Sequence, residues 1–105
     1  DEEPVYEIKK LISNVGSHPQ MTALPNGNFF IVYEEFYKVK MTFLSNIVLQ
    51  IVDAKGNEIK RKIISKPNSI NDHAVITTIE NNALTVAWVT KENKKTKIEY
   101  TIVNY

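Results

Sequence analysis

Two histidines, His18 and His73, stand about 55 residues apart, each beside loop residues, and two imidazoles in matching places could line a metal or ligand site. The chain has no cysteine and offers no fixed short-range ligand spacing, so local hydrogen bonds in loops explain this pair better than a metal does. Tyr33 and Trp88 share the same separation, and an aromatic platform at each could stack on a sugar ring. Large rings in such positions more often fill the space between sheets. Asp53 to Glu58 places oxygen ligands around Gly56 but lacks the alternating Asp spacing and distal Glu of a calcium loop, so it reads as a hairpin turn. Lys60-Arg61-Lys62 and the run Lys91 to Lys97 are basic, yet Glu58, Glu92 and Glu99 interleave with them, as on a solvated edge that discourages stray pairing. No Gly-x-Ser-x-Gly elbow, phosphate loop or paired-carboxylate signature occurs, and the expectation is a non-enzyme with no catalytic residue, cofactor or metal.

The elements that must position these residues are strands. Asn26-Gly27-Asn28 is a turn signal, and Phe29-Phe30-Ile31-Val32-Tyr33 behind it is apolar on both faces, so both faces need cover. Ala83 to Thr90 repeats that character behind Asn81-Asn82. Val5 to Ser13 alternates and reads as an outer strand, followed by a loop over Asn14 to Pro19 and a short strand from Gln20 to Leu24. Phe36 to Asn46 is either a strand extension or a hairpin excursion. Ile47 to Val52, Glu58 to Ser65, Ala74 to Ile79 and Lys97 to Val103 complete the strands, with Lys66 to Ser69 and Asn71-Asp72 as loop chemistry and Lys91 to Lys95 as a polar hairpin tip. No segment of helical length keeps a 3.6-residue period, and β-branched and aromatic residues fill the apolar positions. The chain is all-β.

At 105 residues and 43% hydrophobic composition there is room for a single globular domain. Thirteen basic and 12 acidic residues leave a formal charge of +1, with no field to gather nucleic acid. No stretch approaches the roughly 18 apolar residues of a membrane helix, and no membrane insertion is expected. The start at Asp1 rather than Met reads as a mature or excised form, which points to a secreted or cell-surface protein.

Within this domain the two halves repeat. His18 falls on His73, Thr22 on Thr77, Leu24 on Ile79, Asn26 on Asn81, Ile31 on Val86 and Tyr33 on Trp88, while Ile51-Val52-Asp53 matches Ile102-Val103-Asn104 past a shorter hairpin. The repeats cover about residues 18–66 and 73–105. The first runs on to a fourth strand, Glu58 to Ser65, which the second lacks; its match is the N-terminal stretch Glu7 to Ser13. Two antiparallel four-stranded units of propeller-blade character are therefore expected, one completed by an exchanged N-terminal strand of a neighbouring copy. A single immunoglobulin-like β-sandwich is the alternative.

The run Ala23 to Glu34, together with Leu49 to Ile59, resembles tandem repeats of large secreted and surface proteins of bacteria and ciliates, which pass from an "NGNF-VV-W" strand to a "Q-FD--GN" turn and look like propeller blades. The resemblance covers the first repeat; in the second, Asn82 replaces Gly27. It implies an extracellular structural or adhesive role without catalysis and carries over no functional residue. The expected function is a structural subunit that self-assembles head to tail, as filament or ring, by strand donation. Its expected interface is Val5, Tyr6, Ile8, Leu11 and Ile12 on one side and Ile98, Tyr100 and Ile102 on the other. The alternative is an oligomeric glycan-binding propeller using Tyr33 and Trp88.

Overall fold

The computed structural model describes residues 11–80 and 82–105, and these form seven strands and no helix. Strands β1 (Gly16–Ala23), β2 (Phe29–Val39), β3 (Thr42–Val52) and β4 (Glu58–Ile63) make one antiparallel sheet in sequence order. Strands β5 (Ile70–Glu80), β6 (Ala83–Glu92) and β7 (Lys95–Asn104) make a second, also in order. The turns follow from local chemistry. Gly27 takes φ +89°, and Asn28 N donates to Asn26 Oδ1 at 3.0 Å, so the β1–β2 loop is built by the Asn-Gly-Asn signal. Both central residues of the β6–β7 hairpin, Asn93 and Lys94, have positive φ, which matches the right-handed twist of the flanking strands. Phe36 to Asn46 is the far part of one long hairpin, β2 and β3 pairing from Phe29 against Val52 to Val39 against Thr42.

Three expected boundaries move. The loop expected over Asn14 to Pro19 is in part strand, because β1 begins at Gly16 and absorbs a bulge between Ser17 and Gln20. Pro19 is tolerated there because β1 is an edge strand. Asn71-Asp72 likewise lies inside β5, which carries its own bulge between Asp72 and Val75. Of the expected N-terminal strand, residues 5–10 lie outside the described residues, and Leu11 to Ser13 are not strand.

The main core lies between the two sheets. Phe30, Val32, Ile47, Leu49 and Ile51 of the four-stranded sheet meet Ala74, Leu84, Val86 and Trp88 of the three-stranded one. Each Val, Leu, Ile or Phe among them contributes about 1.5–3 kcal/mol by leaving water. The opposite face of the four-stranded sheet carries a second cluster, Ile31, Tyr33, Val48 and Val52, with Ile12 and Phe29 packed against it. The β2 strand is thus apolar on both sides, as its unbroken apolar run requires.

A buried polar clip crosses the seam. Asn71 Nδ2 donates to Ser45 O at 2.8 Å and Ser69 Oγ at 2.9 Å, and its Oδ1 accepts from Thr90 Oγ1 at 2.8 Å. Its backbone exchanges two further bonds with Ser45 Oγ. Asn71 is fully buried and joins β3, β5 and β6. Removing its side chain takes the partner from the buried Thr90 hydroxyl and a donor from the Ser45 carbonyl, and leaves Ser69 Oγ with its bond to Lys66 O alone; a buried group left unpaired costs about 1–3 kcal/mol. Asn71→Ala is therefore expected to lower the unfolding free energy by about 2–4 kcal/mol, read from urea denaturation. A loss under about 0.5 kcal/mol, the size of an ordinary surface substitution, would show that the clip contributes nothing.

Candidate functional site

Two places combine the sequence-predicted residues. The first lies where the two bulges meet. His18 and His73 have φ of 50° and 57°, the left-handed conformation in which non-glycine residues are uncommon. The bulges turn both imidazoles toward each other, and the rings stack with centroids 6.0 Å apart and planes 24° from parallel. Beneath them lies the Glu34 carboxylate of β2, almost wholly buried. Its Oε1 meets His18 Nδ1 at 3.2 Å and accepts from Ser17 Oγ at 3.4 Å, while Oε2 accepts from His73 N–H at 2.9 Å. Glu34 therefore bonds to both sheets, and these partners offset the cost of burying its carboxylate.

This cluster has the residue types of a hydrolytic triad but not the wiring. A relay needs the nucleophile's hydroxyl and the orienting carboxylate on opposite ring nitrogens of the histidine base. Here Ser17 Oγ at 3.4 Å and Glu34 Oε1 both approach the Nδ1 of His18, so no proton path runs through the ring. Among the described residues no group of three or more His, Asp or Glu is arranged to hold a metal ion. The Asp53 turn is self-contained: Oδ1 accepts from the N–H of Lys55 and of Asn57, and Oδ2 from Asn57 Nδ2. Those bonds from Asn57 hold the Asp53 carboxyl below the usual carboxylate range.

The aromatic platform is not formed. Tyr33 and Trp88 are each 3% exposed and belong to the two packed clusters. Tyr33 Oη donates to Gln50 Oε1 at 2.6 Å, and its ring lies against Gly16, where an added Cβ would stand 3.0 Å from Tyr33 Cδ2. A ring plugged between strands cannot stack on a sugar.

The second place is β7. It pairs with β6 from Lys95 to Asn104 and, among the described residues, has no partner on its other side. Ile98, Tyr100 and Ile102 are 79%, 69% and 53% exposed. The register sets them beside Val89, Ala87 and Thr85 of β6, and Ala87 in turn pairs with the exposed Val75 of β5. Together they give an apolar outer face to the three-stranded sheet. Of the other expected interface residues, Val5, Tyr6 and Ile8 lie outside the described residues, and Leu11 is exposed. Ile12 packs on the second cluster of its own chain, and Ser13 Oγ donates to Glu35 Oε2 at 2.8 Å.

Sequence reasoning paired the two histidines but missed Glu34 and Asn71. The available signal for Glu34 was a carboxylate directly behind the apolar run Phe29 to Tyr33, in a strand with covered faces, a position that demands buried donors. Comparison with protein-family models, curated proteins and solved structures returned no match.

The histidine cluster makes a pH prediction. The hydrogen bond and charge of Asp72, 2.8 Å from His73 Nδ1, raise the His73 pKa above its ordinary value, with Glu34 adding to this and Lys91 opposing it. A raised folded-state pKa gives a stabilisation fully present below about pH 6.5 and lost as pH climbs through the folded-state value. In urea titrations between about pH 5.5 and 8.5, the midpoint difference between the unaltered chain and His73→Gln should be largest at the acid end. A difference independent of pH would remove His73 from the account.

Proposed function

We propose that this chain is a non-enzymatic, extracellular structural subunit of two blade-like β units that assembles head to tail with copies of itself. The observation that carries the reading is the unequal treatment of β3 and β7. These strands hold the same place in their sheets, third in a meander, yet among the described residues β3 is paired on both sides and β7 on one. The two outer strands are also dressed differently. β4 carries Lys60, Arg61 and Lys62 in sequence, the composition that blunts an edge, whereas Ile98, Tyr100 and Ile102 punctuate β7. An edge of that kind accepts a strand by main-chain pairing, with alternate side chains supplying specificity. The N-terminal stretch around Val5, Tyr6 and Ile8, which runs into the Glu7 to Ser13 match to Glu58 to Ser65, is the proposed donor, and Ile12 anchors it to the chain that gives it. The likeness to blade-like repeats of secreted and surface proteins supports both the architecture and the extracellular location. A glycan-binding ring has lost its motivation, because Tyr33 and Trp88 are interior.

Light scattering of the full chain should give a mass that grows with concentration, and negative-stain images should show fibres or discrete rings. A variant lacking residues 1–10 should be monomeric, and adding those residues as a peptide should slow hydrogen exchange along β7. A monodisperse monomer of the unaltered chain would overturn the proposal.

A further inference from the structure

The mouth of the seam, between β4 and β7, carries two cations with no counterpart. The register pairs Lys60 with Ile51 and Lys62 with Leu49, and directly opposed residues share a face, so both lysines point to the core side of their sheet. Among the described residues no strand lies over them, because the three-stranded sheet stops at β7, and β4 is exposed along its length. An open cavity of about 210 Å³ occupies this corner, lined by Lys60, Lys62 and Ile64 on one side and by Thr101, Val103 and Asn104 of β7 on the other. Neighbouring cations are paired: Arg61, on the opposite face of β4, with Glu35, and Lys66 with Glu99, the inward carboxylate of β7, at 3.6 Å. Lys60 and Lys62 make no ion pair among the described residues.

We propose that this mouth is a strand site with a basic floor, and that it takes the N-terminal segment of a second copy with an acidic face turned inward. The proposal deepens the head-to-tail reading and rests on it. In an extended chain Asp1, Glu3 and Glu7 share one face with Val5, while Tyr6 and Ile8 share the other. A strand added to the free edge of β7 has its two faces set by β7. Inward, beside Thr101 and Val103, it lies over Lys60 and Lys62; outward, it adjoins the exposed row of Ile98, Tyr100 and Ile102. The acidic face meets the two unpaired lysines while Tyr6 and Ile8 extend the apolar row, so one placement matches both faces. A slip of one residue would reverse both matches. The segment comes from a neighbour because of reach. Its own chain holds Ile12 on the far side of the four-stranded sheet, beside Tyr33. From there the ten residues ahead of Leu11 extend at most about 35 Å. Crossing to β4 and passing from one sheet level to the other would use about 20 Å of that, leaving too few residues to run along β7.

Charge exchange tests this. Lys60 and Lys62 are exposed, so Lys60→Glu combined with Lys62→Glu should leave the fold intact, as circular dichroism and the melting temperature would verify. By light scattering this acid-mouthed chain should self-associate about tenfold or more weakly than the unaltered one, and so should a chain carrying Glu3→Lys with Glu7→Lys. Mixed in equal amounts the two variants should assemble again, because each tail then meets a mouth of opposite sign. All four substitutions in one chain should do the same. Undiminished assembly of Lys60→Glu/Lys62→Glu, with the variant lacking residues 1–10 monomeric, would overturn the basic floor and leave strand donation standing. A mixture that assembles no better than its parts would overturn the charge match as well. A monomer of the unaltered chain would overturn both the floor and the donation.

Discussion

Two polar side chains with almost no access to water, Glu34 and Asn71, fix how the sheets sit on each other. The apolar seam around them supplies most of the attraction, but hydrophobic contact is non-directional and would tolerate a slide or a turn of one sheet over the other. A buried carboxylate or amide does not tolerate it, because losing a partner in a low-dielectric interior costs more than the partner contributed. Glu34 reaches the β5 backbone at His73, and Asn71 reaches Ser45 on β3 and Thr90 on β6. Only one relative placement satisfies both. The outward faces inherit that precision, since each is the back of a sheet whose front is pinned.

Much of the architecture was legible because strands announce themselves through apolar runs and turn residues. Phe29 to Tyr33 and Ile47 to Val52 needed cover on both faces, and they are buried nearly throughout. Asn26-Gly27-Asn28 and Asn93 gave away their turns. What stayed hidden depends on contacts far apart in sequence or on conformations without a residue signature. The bulges at His18 and His73 use positive φ without glycine, so both stretches read as loops, when each is a strand with one extra residue. Asn71 read as turn chemistry because its partners, Ser45 and Thr90, lie 26 and 19 residues away. The hairpin at Lys40-Met41 carries neither Asn nor Gly, and its pairing is set by the strands on either side.

The bulges also serve the seam. A regular β1 would keep every backbone group in its ladder and aim side chains strictly up or down. The extra residue breaks that alternation and redirects a side chain. At His18 this brings an imidazole over Glu34, and at His73 it frees a backbone N–H to donate to the same carboxylate. Trp88, in the same seam, has no such partner: its Nε1 is buried without an acceptor among the described residues. That donor is desolvated at a cost, which the ring's apolar area must exceed for the indole to stay there.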